Sequence, residues 1–266
     1  MQARTFRCMG TVISLAFPRD PAPGGHLVDD EFAAATAVVE SLFQELDHTF
    51  SLYRPDSEAN RLARGELLLQ NASAAMRTLY ADALDWRRRT EGAFTPKRPD
   101  GVVDLSGLVK GHAISEAGTS LLALGLHHWC LNAGGDVLVS GSPLPGSTQP
   151  GSTPPTSKAW QAGIVDPADR RALVAGYALG AGRRHAALAT SGSAERGHHI
   201  WRQRGAAEEF VQVSVAAADV VTADVLATAI VAGGAPMLDR AADGWDISVL
   251  AVTAEGELLA TPGFRS

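Results

Sequence analysis

Apolar residues recur along this chain in two rhythms, and each rhythm marks one kind of element. Over 29–50, Phe32, Ala35, Val39, Leu42, Phe43 and Leu46 fall three or four residues apart, which predicts an amphipathic helix. The same spacing over 72–90 places Met76, Leu79, Ala83 and Trp86 on one face of a second helix. Between them Pro55 interrupts regular structure, and Ser57 is placed to cap a short helix carrying Asn60 and Leu62. A further helix is expected over 108–124, ended by Gly125, and an alanine-rich one over 222–233.

Short apolar runs predict strands over 9–17, 129–131, 160–166, 174–179, 185–190 and 211–217. The run 137–139 reads as a continuation of the strand that enters Asn132-Ala133-Gly134-Gly135-Asp136, with the two glycines as a bulge or a close backbone approach. The runs 247–251 and 258–260 read as a closing hairpin around Glu255-Gly256. The fold class expected is α+β, with mixed, largely antiparallel sheets and helices packed on them. No glycine fingerprint of the Rossmann type follows a strand. One domain is expected over 1–266, with a flexible loop at about 142–158 that is rich in Pro, Gly, Ser and Thr.

Composition narrows the function classes. A net charge of -6 and the lack of any long basic run argue against nucleic-acid binding, and Arg87-Arg88-Arg89 reads as a solvated helix face. Cys8 and Cys130 make neither a disulfide framework nor a zinc site, and Cys130 is expected in the core. No stretch of eighteen uninterrupted apolar residues occurs, so no membrane span is expected. With no leader-like segment at its start, the sequence as given reads as cytoplasmic.

Candidate chemistry concentrates in Asp104-Leu105-Ser106-Gly107-Leu108-Val109-Lys110-Gly111. Ser106 is expected to accept from the first free N–H groups of the helix that follows. Gly107 would let the backbone approach a ligand. Lys110, placed in the first turn, opposes the helix dipole unless a phosphate is its partner. The structural alternative is a strand, a glycine turn and a surface lysine. A second stretch puts Asp224 and Thr228 four apart on one helix face. A carboxylate and a hydroxyl form a hard-oxygen pair suited to Mg²⁺, which keeps waters and phosphates as its other ligands. The alternative there is a capping aspartate and an ordinary helical threonine.

Taken in order, these pieces resemble one family. Met9-Gly10-Thr11, Ser51 and Tyr53 with Ser57-Glu58, Gly92-Ala93-Phe94, the 104–111 stretch, the 132–136 stretch, Trp160 with Gly163-Ile164 and Asp166-Pro167, Thr190-Ser191-Gly192, His198-His199-Ile200 and Asp224 with Thr228 follow the sequence order of the ApbE-like FAD:protein FMN transferases. The resemblance implies a T-fold-related architecture with the flavin in a cleft between two lobes. It implies FAD contacts at Met9, Tyr53, Ala93, Phe94, Thr95, Asp104 and Lys110. It implies a Mg²⁺ site made of the Gly107 carbonyl, the Asp224 carboxylate and the Thr228 hydroxyl, with the Ala227 carbonyl as a further ligand. Lys110, Asp224 and His199 would carry catalysis: FAD is cleaved, AMP leaves, and FMN is joined to a threonine or serine of an acceptor protein. Spacing alone does not separate His198 from His199; the resemblance favours His199.

The chain also departs from that pattern. Thr95 stands where an aspartate is usual, Ser106 where a glycine is usual, and Trp201-Arg202 where Asp-Pro is usual. Only seven residues join Pro96 to Asp104, where the family carries a long segment. These changes bear on acceptor recognition more than on FAD or metal binding. Three functions follow: flavin transfer to a protein, Mg²⁺-dependent FAD hydrolysis at the same site, or FAD binding without catalysis.

Overall fold

A computed structural model describes residues 1–18, 29–143, 158–192 and 209–264. Among the described residues ten strands and five α-helices occur in the order β1 (Gln2–Cys8), β2 (Thr11–Phe17), α1 (Asp29–Phe50), α2 (Glu58–Ala63), α3 (Ala74–Arg89), α4 (Ser106–Ala123), β3 (Trp129–Ala133), β4 (Asp136–Ser140), β5 (Trp160–Val165), β6 (Leu173–Leu179), β7 (Ala187–Gly192), β8 (Phe210–Ala217), α5 (Val220–Gly244), β9 (Ile247–Thr253) and β10 (Leu258–Ala260). The class is α+β, as expected. Eight strands form one sheet in the order β1-β2-β3-β4-β7-β8-β9-β10, and β5 pairs with β6 in a second sheet. Every strand pairing is antiparallel.

The period-two alternation of the central strands sorts side chains between two cores. Ala187 and Ala189, Val215 and Ala217, and Val249 and Ala251 face the helices. Leu188, Ala216 and Leu250 face the other way, onto Trp160, Ala162 and Ile164 of β5 and Leu179 of β6. Apolar layers on both sides explain why β9, Ile247–Thr253, is buried throughout. On the helix side, α1 buries Ala35, Val39 and Phe43, and α3 buries Met76, Leu79, Ala83 and Trp86, the faces read from their spacing. Phe6 of β1 meets Phe43 edge-on with ring centroids 5.9 Å apart.

Helix α5 is long and apolar enough to cross a membrane by length and composition, although no apolar run suggested one. It packs against β7, β8 and α4, so its apolar faces have protein partners. It continues past the expected end at 233, through a kink at Gly234 (φ 63°) with Pro236 just beyond.

The local expectations hold in part. Ser57 Oγ accepts from the Asn60 N–H at 2.9 Å, as expected for the cap of α2. Ser106 does not cap α4. It is the helix's first residue, and its N–H donates to the Asp104 carboxylate at 2.9 Å. Residues 9–17 are not one strand: Met9 (φ 50°) and Gly10 (φ 69°) form the turn of a hairpin that begins at Gln2. Residues 137–139 do not continue the preceding strand either. Gly134 (φ 62°) and Gly135 (φ 97°) reverse the chain, and Ala133 faces Asp136 across the turn. In both places two successive positive φ angles close a tight hairpin turn, and at Gly134-Gly135 the paired glycines fit such a turn as well as they fit a bulge. Cys130 is only partly buried, beside the smaller core, and burial raises its thiol pKa to about 11.

On the sheet face under β5 and β6 lies a small polar cluster. Tyr177 Oη is 2.7 Å from His185 Nδ1 and 3.2 Å from Ser248 Oγ. The Phe264 ring lies 4.7 Å from that of Tyr177. His185 precedes β7 and does not belong to a strand starting at 185.

Candidate functional site

Two hairpin turns lie side by side at one end of the large sheet. The Gly134 N–H donates to the Val12 carbonyl at 3.1 Å, which ties the Gly134-Gly135 turn to the Met9-Gly10 hairpin. Directly after the glycine turn comes Asp136, the first residue of β4, with none of its surface exposed. One of its carboxylate oxygens accepts from the Thr190 N–H at 3.1 Å; the other pairs with the Lys110 ammonium. Lys110 Nζ also lies 3.6 Å from Asp224 Oδ1. The three side chains come from α4, β4 and α5, and are exposed by 12%, 0% and 3% respectively. Two carboxylates and an ammonium so far from water carry a large desolvation cost, a cost folding alone does not require.

The crossing of α4 and α5 makes the meeting possible. A Cβ on Gly111 would lie 3.3 Å from Asp224 Oδ2 and 3.3 Å from the Val221 Cα, so glycine lets the carboxylate rest against the α4 backbone. Gly107 lies one turn earlier on α4, and the Phe94 ring packs on it. Thr228, one turn after Asp224, places its hydroxyl 3.0 Å from Ser191 Oγ of β7. The adjacent Thr190 hydroxyl is 2.8 Å from Ser214 Oγ of β8. The structure thus brings together Lys110, Asp224 and Thr228, with Gly107 close by, and adds Asp136, Gly111, Thr190 and Ser191.

The start of α4 is held by a compact connection. The Asp104 N–H donates to the Pro96 carbonyl at 2.9 Å, and Lys97 faces Val103 in a minimal antiparallel bridge. Asp104, Thr95 and the first turn of α4 therefore form one unit. Thr90 Oγ1 accepts from the Phe94 N–H at 3.1 Å, which fixes the turn before it. Phe94 is 3% exposed, so its ring belongs to the core, and what it can offer a ligand is backbone. Ala93 packs against α5 near Gly233. Met9 sits in the first hairpin turn and touches the core. Tyr53 is different: its ring is 82% exposed, on a segment held by the Asn60 amide donating to the Leu52 carbonyl at 2.6 Å. A large aromatic ring exposed on a braced segment is free to stack on a flat partner. His198 and His199 lie outside the described residues, in the segment that follows Gly192.

Lys110 was expected in the first turn of α4; it is the fifth helical residue, and it meets the carboxylates of Asp136 and Asp224. Spacing singled out Asp224 and Thr228 but not Asp136. Its signals were its place in the 132–136 stretch and an acid opening an otherwise apolar strand straight after two glycines.

Among the described residues no group of three or more His, Cys, Asp or Glu side chains is arranged to hold a metal ion. The oxygens at the α4–α5 crossing are of another kind: the carboxylate of Asp224 and, one turn on, the hydroxyl of Thr228. Few anionic ligands and several neutral oxygens fit Mg²⁺, which retains waters and takes substrate phosphates.

Comparison with known proteins agrees with this architecture. A flavin transferase ApbE of Vibrio cholerae superposes with a TM-score of 0.71 at 22% identity, covering 99% of this chain and 98% of that one. The ApbE protein of Thermotoga maritima gives 0.73 at 17% identity, over 99% and 98% of the two chains. A flavinyl transferase ApbE of Pseudomonas stutzeri in its apo form gives 0.73 at 20%, over 99% and 95%. At these identities the likeness is one of fold. No curated protein matches in sequence. The sequence pattern of the ApbE family matches residues 9–100 and 95–249, and the chain belongs to that family.

Proposed function

We propose that this protein is a FAD:protein FMN transferase. The observation that carries the reading is the buried meeting of Lys110 with Asp224, beside Thr228 and at the end of the strand that leads into the His198-His199 segment. Membership of the ApbE family supports it.

The residues divide the work. Tyr53 offers its exposed ring to the flavin, and Met9, Ala93, Thr95 and Asp104 border the same ligand, with Phe94 contributing backbone. Asp224, Thr228 and the carbonyls of Gly107 and Ala227 would hold Mg²⁺. A divalent cation there supplies charge neutralisation on the FAD pyrophosphate. Lys110 adds a compact positive charge to the same phosphates. His199 takes the proton from the acceptor hydroxyl. The acceptor oxygen forms a bond to the FMN-side phosphorus, the pyrophosphate P–O bond breaks, and AMP leaves with the electron pair.

One observation favours hydrolysis as the second reading. The connection between Pro96 and Asp104 is closed by the Lys97–Val103 bridge, which leaves little chain there to recognise a protein. Water would then take the place of the acceptor hydroxyl. The test is incubation with FAD and Mg²⁺, with and without a threonine-bearing acceptor. AMP only with acceptor is the expected result. AMP in equal amount without it means hydrolysis, and none in either case overturns catalysis altogether.

A further inference from the structure

We propose that Asn60 is a positioning residue that sets the Tyr53 ring in place before the flavin arrives. The inference rests on the reading that Tyr53 stacks on the flavin of FAD. Tyr53 lies in the connection between α1 and α2, and the backbone on both sides of it is held. The Ser51 carbonyl accepts from Ser57 Oγ at 2.5 Å, and the Leu52 carbonyl accepts from Asn60 Nδ2 at 2.6 Å. Beyond the ring, the Arg54 carbonyl accepts from the Ser57 N–H at 3.2 Å, and the Pro55 carbonyl from Arg64 Nη2 at 3.0 Å. The Tyr53 N–H donates to Ser51 Oγ at 3.2 Å.

The Leu52 carbonyl and the Tyr53 N–H belong to one planar peptide unit, so Asn60 and Ser51 grip the plane that carries the ring from its two edges. Asn60 also joins the other bonds. Its backbone N–H donates to Ser57 Oγ at 2.9 Å, and its amide oxygen accepts from Arg64 Nη1 at 2.5 Å. The Arg64 guanidinium is fixed in turn by Glu66, through Nε at 2.8 Å and Nη2 at 2.7 Å. The amide nitrogen therefore faces a carbonyl and the amide oxygen a guanidinium, and the two ends cannot be exchanged. A ring on a loose segment would give up backbone freedom on stacking, and that loss would subtract from affinity. Here the freedom is lost in the folded protein already, while the ring itself stays exposed.

The test is a double-mutant cycle between Asn60 and Tyr53 on the full chain, read as FAD affinity by calorimetry well below the melting temperature of every variant. ADP, which carries a pyrophosphate but no flavin, is the second probe. Asn60→Asp keeps the side-chain size, the backbone N–H and the acceptor for Arg64, and removes the donor to Leu52. Tyr53→Ala removes the ring. Y53A should weaken FAD binding about tenfold and N60D about fivefold, with ADP binding unchanged in both. In the Y53A background N60D should change FAD affinity by less than about 1.5-fold, because no ring is left to position. If N60D binds FAD like wild type, the proposal is overturned. It is also overturned if the N60D loss persists in full without the ring, or if ADP binding falls with it, because Asn60 then acts on the fold or through charge. Asn60→Ala repeats the cycle without a new charge and decides alone should N60D fail to fold. Y53A separates the underlying reading from this one. If Y53A binds FAD as wild type does, the stacking role of Tyr53 and this inference both fall. If Y53A loses affinity while N60D and N60A do not, only this inference falls.

Discussion

Two polar clusters are buried on opposite faces of the same sheet, and they differ in kind. On the helix side, Lys110, Asp136 and Asp224 are charged groups drawn from three elements. On the side covered by β5 and β6, Tyr177, His185 and Ser248 form a chain of hydrogen bonds. The second cluster is joined by neutral hydrogen bonds through the Tyr177 hydroxyl, and burial pushes the His185 pKa below its ordinary value, against the pull of the Asp246 carboxylate 3.9 Å from its Nε2. Neutral hydrogen-bonded groups fix how a small sheet seats on a large one at modest cost. Charged groups in the same surroundings cost more than they return in stability, so their presence points to chemistry. The proposed activity thus falls on one face and the hydrogen-bonded packing of the small sheet on the other.

The largest effect that could break this division is at Asp224. Asp224→Ala should lower Mg²⁺-dependent AMP release by about 10²–10³-fold while leaving the melting temperature nearly unchanged, because Lys110 keeps Asp136 as its partner. A magnesium titration of AMP release checks it, and wild-type turnover would remove Asp224 from the site. His199→Ala should slow release by about 10²–10⁴-fold with FAD affinity retained, and the rate should recover partly as pH rises, since hydroxide can then take the acceptor proton. His198→Ala is the control and should be milder; the reverse order would exchange their roles.

On the other face the expected effects are on stability. Tyr177→Phe removes the hydroxyl shared by His185 and Ser248 and should cost about 1–2 kcal/mol by denaturant unfolding, with AMP release unchanged. A loss of activity larger than the loss of folded protein would show that the two faces are coupled. The smallest effect is a slope. Because the folded-state pKa of His185 is depressed, the unfolded chain takes up the proton first as pH falls below about 6.5. Stability from this group is therefore complete above that pH and declines below it, down to the folded-state pKa. His185→Gln should flatten the fall of melting temperature as pH drops below about 6.5. An unchanged slope would mean that other groups govern acid unfolding.

What was legible in the sequence was whatever a few neighbouring residues decide. The buried faces of α1 and α3 follow from helical spacing, and the cap of α2 from a serine three residues before the N–H it accepts. The strands around Val215 and Val249 follow from short apolar runs. Local reading failed where one signal serves two geometries, as at Gly134-Gly135 and at the start of α4, where Asp104 instead of Ser106 meets the first N–H.

The sequence by itself determined the α+β class, the helix faces and the place of Asp224 and Thr228 on a common face, since each depends on periodicity within one element. Only the tertiary structure decided that Lys110 stands between two carboxylates, and that one of them is Asp136. Charge pairing across elements depends on how closely their backbones approach, and here that approach is permitted by Gly111 under Asp224 and by the turn that delivers Asp136. The Tyr177–His185–Ser248 chain was hidden for the same reason: its members lie on separate elements and share no pattern until the small sheet is seated on the large one.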